Sequence, residues 1–204
     1  GPQKAMAENP ELLAWAGTNS GPVVAWNDEA PINRWNDILI LLERLAPEKP
    51  LVPINAEDRF KLFGISHEIC GELGFGWNRR LNMMRPSDGN ISDFGLKYGY
   101  RDSEADLADG RVVGFLNELS SILKAQKALG NDYIIGQNVT AVDFYWAAFS
   151  NFVALQAPDD ILLDASVRPM FENVSSAITN AIDPILLEHR DLMMQQYFGV
   201  PLEL

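Results

Sequence analysis

Apolar residues recur along this chain mostly at the spacing of helices, and at the spacing of strands only near its start. Residues 8–16, ENPELLAWA, predict a short helical turn, followed by the loop Gly17-Thr18-Asn19-Ser20-Gly21-Pro22. Val23 to Trp26 and Ala30 to Asn33 are β-rich runs around the turn Asn27-Asp28-Glu29, which predicts a hairpin. A helix then opens at Asn33 or Arg34 and runs to about Ala46, with Trp35, Ile38, Leu39, Leu42 and Leu45 on one stripe. Pro47, Pro50 and Pro53 end it and form a stiff linker, which sets a domain boundary between residues 1–50 and 55–204.

Beyond the linker the spacing is helical throughout. Asn55 caps a predicted helix carrying Phe60, Leu62, Phe63, Ile69, Leu73, Trp77, Leu81 and Met84. Gly71, Gly74 and Gly76 lie within it and predict a bend or a close helix approach. A polar loop spans about Arg85 to Arg101. Val112, Phe115, Leu116, Leu119, Ile122 and Leu123 then mark an amphipathic helix ending near Gly130. Thr140-Ala-Val-Asp143 is a capping-box variant ahead of Phe144, Tyr145, Trp146 and Phe149. That helix is apolar nearly all round, which places it at the centre of the core. A further helix is expected from Arg168 to about Ala181. Asp183-Pro184 starts the last one, with the acid at the cap and proline at the first helical position.

Composition narrows the function classes. The chain has 204 residues, 47% apolar and 22% charged, as expected for a packed globular protein. A net charge of -12 argues against nucleic acid and anionic membranes as partners, since both require clustered Lys and Arg. No apolar run approaches the roughly 20 residues needed to cross a bilayer. The start lacks the charged-then-apolar order of a secretory signal. The single cysteine, Cys70, cannot form an intramolecular disulfide, so a reducing, cytoplasmic compartment is expected. Sequons at Asn90, Asn138 and Asn173 carry no meaning there. Gly1-Pro2 has the look of a protease-cleavage scar, and the first five residues are set aside.

Candidate chemistry is sparse. Gly71-Glu-Leu-Gly74-Phe-Gly76 has the wrong order for a phosphate-binding glycine loop, and no strand precedes it. His67 and Cys70, three apart on one helix, would allow imidazole to lower a thiol pKa, but a buried core cysteine is the commoner arrangement. Two histidines and one cysteine, scattered, make no metal site. Glu68, Glu72, Arg79 and Arg80 sit in an otherwise apolar helix and predict an ion network between neighbouring helices. Trp77 beside the two arginines would line a pocket with a cationic rim, or belong to the core.

The stretch Tyr133-Ile-Ile-Gly136-Gln-Asn-Val-Thr140-Ala-Val-Asp143-Phe-Tyr145-Trp-Ala resembles the glutathione transferase family, in which it caps the central helix of the all-helical C-terminal domain. Gly136, Thr140 and Asp143 match, and Val142 replaces the usual alanine. Ser20-Gly21-Pro22-Val23-Val24 resembles the loop before the third strand of that family's thioredoxin-like domain. There the proline is cis and the preceding residue offers its backbone to glutathione, a role that would fall to Gly21. Arg34 and Trp35 stand nearest the helix start where the family binds the γ-glutamyl end of glutathione. An acidic position has there become a cation. The family's first strand, first helix and second strand have no counterpart in the roughly fifty residues before the helical domain, and with them goes the residue that activates the thiol.

The resemblance implies a mostly α fold: a glutathione-transferase-like helical bundle preceded by a partial thioredoxin-like β-hairpin plus helix. It implies a small-molecule ligand, hydrophobic or thiol-containing, bound by Gly21, Pro22, Arg34, Trp35, His67, Trp77 and Arg80. Thiol conjugation would be the chemistry, with Arg34 or Arg80 stabilising the thiolate. No cofactor is implied, glutathione being a substrate or ligand. The alternative is a non-catalytic scaffold that has lost the glutathione site. A third reading is a redox protein using Cys70. With two strands missing, Val23 to Trp26 would be an unpaired sheet edge, which predicts a homodimer.

Overall fold

Two units make up the chain, Gly1–Leu51 and Val52–Leu204. The computed structural model describes residues 9–86 and 89–203. The first five residues, Glu8 of the predicted first helix, and Ser87 and Asp88 of the polar loop lie outside them.

In the first unit, helix α1 (Pro10–Ala16) is capped by Asn9, whose side chain accepts from the Leu12 amide at 2.9 Å. Helix α2 (Trp35–Leu45) starts at the predicted place, with Arg34 at the N-cap, and buries Leu39 and Leu41. The hairpin is reduced to one antiparallel bridge, Val24 to Ile32, with N···O distances of 2.9 and 2.8 Å. The turn is made by Asn27 at φ +50°, a conformation that asparagine tolerates. The pairing stops there for a local reason. The next hydrogen-bonded pairs in this register would set Pro22 opposite Arg34 and Trp26 opposite Ala30. Proline has no amide to donate, and the Trp26 carbonyl already accepts from Glu29 at 3.1 Å. The long sheet edge expected at Val23 to Trp26 is therefore a single bridge.

In the second unit, the helix predicted from Asn55 to Met84 is two helices, α3 (Ala56–Cys70) and α4 (Phe75–Met83). The break falls at the glycines. A Cβ on Gly74 would lie 2.5 Å from the Glu68 carbonyl oxygen, so only glycine lets the chain turn this tightly against the end of α3. Leu73 sits in the turn at φ +62°. Asn78, fully buried, reaches back from α4 and donates to the carbonyls of Leu73 and Gly74 at 2.5 and 2.7 Å. The polar loop contains a short helix, α5 (Asp93–Lys97), with the Ser92 hydroxyl accepting from the Gly95 amide at 3.1 Å.

Helix α6 (Asp102–Ala128) begins about ten residues earlier than its large apolar side chains suggest. Its first turns bury Ala105 and Ala108 against Leu81 and Met84, and small residues of this kind leave a faint stripe. It packs along α4. Helix α7 (Ala141–Phe149) is the buried centre, between α3 and α10 (Pro184–Tyr197). The helix expected from Arg168 to Ala181 is also two, α8 (Arg168–Glu172) and α9 (Ser176–Asn180), because the Ser175 side chain caps a fresh start. Asp183 caps α10, with Pro184 as its first residue. Two short parallel strands, β1 (Ile161–Leu162) and β2 (Leu202–Glu203), have no signal in the sequence pattern.

One carboxylate joins these parts. Asp143 Oδ2 accepts from the Thr140 amide at 2.8 Å and the Thr140 hydroxyl at 2.9 Å. Its Oδ1 accepts from the Ile134 amide at 2.8 Å and lies 2.9 Å from His189 Nε2 on α10. A carboxylate only accepts, so Nε2 carries the proton in this bond. Nearby, the Trp146 indole donates to the Leu186 carbonyl at 3.0 Å. The expected ion network of Glu68, Glu72, Arg79 and Arg80 does not form among the described residues. Buried Arg79 donates instead to the carbonyls of Phe152 at 2.8 Å and Asn173 at 3.3 Å, tying the ends of two short helical segments to α4.

Removing the Asp143 carboxylate leaves four buried donors unpaired, so Asp143→Ala is expected to cost about 3–5 kcal/mol, against about 1 kcal/mol for the loss of the cap hydroxyl in Thr140→Ala. Urea denaturation of both variants checks the order. The two kinds of glycine separate in the same assay. Gly74→Ala is expected to destabilise by about 1–3 kcal/mol through its carbonyl clash. Gly110→Ala on α6, where a Cβ meets nothing within 4 Å, is expected to stabilise by about 0.5–1 kcal/mol.

Candidate ligand-binding site

The residues singled out in the sequence fall in both units, and each unit is described by itself. In the first, Gly21-Pro22 is a cis peptide, as the resemblance implies, and both residues are exposed. A Cβ on Gly21 would meet nothing within 4 Å. Arg34 is exposed and Trp35 half-buried at the start of α2. Arg44 is paired with Glu29 at 2.5 Å across the turn, leaving Arg34 outside that ion pair.

In the second unit, His67 is exposed on the last turn of α3, its ring set over Gly71, where a Cβ would lie 2.6 Å from the imidazole Cε1. It makes no hydrogen bond to Cys70 among the described residues. Cys70 is half-buried, and burial pushes its thiol up to about 12, against a smaller opposing pull from Arg80. Arg80 is half-buried with its guanidinium 5.5 Å from the centroid of the Phe152 ring, a cation–π contact. Burial lowers its pKa, with Tyr98 and Cys70 acting in the other direction. Burial likewise raises the Tyr145 hydroxyl. The Tyr133 hydroxyl is pushed up to about 12, first by its hydrogen bond with Tyr197 and then by burial. Cys70 and these tyrosines are therefore held protonated near neutral pH, which is the reverse of an activated nucleophile.

Trp77 occupies a different environment. It lines a cleft of about 600 Å³ together with Glu72, Leu73, Leu81, Lys97, Tyr98, Gly99, Arg101 and Glu104. The break between α3 and α4 supplies one wall, the face of α4 the floor, and the turn before α6 the far side. Trp77 and Tyr98 pack against the cluster of Leu81, Met84, Tyr100, Ala105 and Ala108, so their rings are backed by core. Glu104 is engaged by Arg111 at 2.7 Å. Of the predicted site residues, Trp77 alone lines this cleft. Its partners Lys97, Tyr98 and Arg101 come from the segment that reads as a polar loop. The available signal was the run Lys97-Tyr98-Gly99-Tyr100-Arg101, two tyrosines between two cations in an acidic chain. Among the described residues no group of His, Cys, Asp and Glu gathers as a metal site, and no helix is long and apolar enough to cross a membrane.

The thiol shift gives a direct check. With the pKa moved from 9.0 to about 12, the thiolate fraction near pH 8 falls roughly a thousandfold. Cys70 in the folded chain is accordingly expected to react with an aromatic disulfide reagent about a thousand times more slowly than in 6 M guanidinium. Comparable rates in the two states would show an exposed, ionisable thiol.

No family model matches the chain, and no curated protein matches it. Solved structures do. A glutathione S-transferase from Methylobacterium radiotolerans, in complex with glutathione sulfonate, superposes with a TM-score of 0.60 at 17% identity, covering 98% of this chain and 79% of that one. A glutathione S-transferase from Actinobacillus pleuropneumoniae superposes with a TM-score of 0.50 at 16% identity, covering 90% of this chain and 74% of that one. At such identities the likeness is one of fold. The capped central helix, the helical unit around it and the cis-proline loop together make a mostly helical, glutathione-S-transferase-like fold.

Proposed function

We propose that this protein binds a small apolar or aromatic molecule on its glutathione-transferase-like scaffold, in the cleft at Trp77. The observation that carries the reading is the cleft itself. It has the volume of a ligand site and combines aromatic rings backed by core with the charged groups of Glu72, Lys97, Arg101 and Glu104. An interaction module held together only by helix packing would need no such cavity.

Thiol conjugation is the second reading. It is favoured by the fold likeness to an enzyme whose structure holds glutathione sulfonate. In this reading Gly21 and Pro22 offer backbone to a thiol peptide, Arg34 supplies a cation, and Trp35 packs beside it. Against turnover through Cys70 stands the upward shift of its thiol, which leaves almost no thiolate near neutral pH. Binding without conjugation is thus the stronger form of the proposal.

Two titrations separate these readings. Nile red, a neutral apolar dye, is expected to brighten on binding the wild-type chain, and Trp77→Leu is expected to weaken this roughly tenfold through the lost ring contact. An unchanged affinity in a folded Trp77→Leu chain would move the ligand site elsewhere. Calorimetry with glutathione, beside an assay with an aryl halide electrophile, tests conjugation. Glutathione binding that weakens in Arg34→Gln, with turnover above the uncatalysed rate, would establish the second reading over the first.

A further inference from the structure

We infer that the Trp77 cleft selects a planar aromatic anion, such as an aryl carboxylate, and that Leu73 is retained against local strain to form its apolar lip. The inference rests on the reading of this cleft as the ligand site and adds the chemistry of the ligand.

The first argument is the charge at the cleft. The chain as a whole carries a net charge of -12, and among the described residues ion pairs engage Arg44, Lys61, Arg85, Arg111, Lys124, Lys127, Arg168 and Arg190. At the cleft the acidic excess is gone, since Lys97 and Arg101 line it with Glu72 and Glu104. Glu104 is neutralised by Arg111 at 2.7 Å. The Lys97 ammonium stands 5.6 Å from the centroid of the Tyr98 ring, and Arg101 joins no ion pair among the described residues. Two cations thus face one unengaged carboxylate, Glu72. Lys97 sits beside the Tyr98 ring and Arg101 lines the same cleft, an arrangement that places a ring against Trp77 and Tyr98 while its acid group reaches Lys97 or Arg101.

The second argument is independent of charge. Leu73 holds φ at +62°, a left-handed conformation that disfavours a branched side chain by about 1 kcal/mol. Its carbonyl is pinned there by the buried Asn78 amide at 2.5 Å, so the backbone cannot relax. Folding alone would be better served by glycine at this position. The leucine side chain contributes little to the core, since it remains 56% exposed, and it faces the cleft that Trp77 floors. A strained residue whose side chain is spent on a cavity wall, not on the core, points to a ligand contact.

The test uses the full chain and two probes of equal shape, 1-naphthoate and neutral 1-naphthamide, titrated by calorimetry. Wild type is expected to prefer naphthoate by roughly three- to tenfold, the range for exposed charge pairs, with the preference shrinking in high salt. The double variant Lys97→Gln/Arg101→Gln is expected to abolish that preference and leave naphthamide unchanged, and Glu72→Gln to increase it. Leu73→Gly is expected to melt no lower than wild type, since it removes strain, while binding both probes about fivefold more weakly. Equal affinity for the two probes, with Leu73→Gly weakening both, would overturn the anion selectivity and leave the cleft as the ligand site. Wild-type affinity for both probes in Leu73→Gly, or binding of neither probe by wild type, would overturn the site as well.

Discussion

The Asp143 carboxylate is the point on which the helical unit closes. It satisfies the amide and hydroxyl that open α7, the amide of Ile134 in the incoming loop, and the imidazole of His189 from α10. Each of those donors is buried, and each would be costly unpaired. A cap usually serves the start of one helix. Here both carboxylate oxygens are occupied twice, so the start of the central helix, the loop before it and the last helix share one constraint. The packing of α3 and α10 against α7, and the seat of the Trp146 indole on the Leu186 carbonyl, follow from that fixed start.

A second constraint, the tight turn at residues 71–74, shapes the cleft. An unbroken helix from Ala56 to Met83 would carry Glu72 and Leu73 on its own cylinder. The break instead moves them beside Trp77 and opens a recess against the turn before α6. Gly74 permits the turn by lacking a Cβ, and Asn78 holds it through two carbonyls. The cleft is thus a product of helix termination, with stability supplied by the aromatic and aliphatic cluster behind it.

Much of this was legible in the sequence where local chemistry is strong. Asn55, Thr140 with Asp143, and Asp183 with Pro184 mark helix starts that the structure retains, because a cap is set by neighbours in the chain. The glycines at 71–76 signalled a bend, but apolar periodicity continued across them and disguised a full break. The α6 start was hidden because Ala105 and Ala108 bury well yet carry little apolar surface. Long-range pairing left no trace: β1 and β2 are two residues each and lie forty residues apart. The site was legible only at Trp77. Lys97, Tyr98 and Arg101 gain meaning from the chain reversal that sets them opposite α4, and no spacing rule places them there.

The bond between Asp143 and His189 bears on how the chain is made. A nascent polypeptide emerges from the ribosome in order, and α7 is complete some forty residues before His189 has been synthesised. Until then Asp143 lacks its imidazole partner, and Trp146 lacks the carbonyl of Leu186. The most apolar helix of the protein therefore waits, partly uncovered, for the segment that completes its surroundings. Such a span of exposed aromatic surface is the kind that chaperones hold during synthesis.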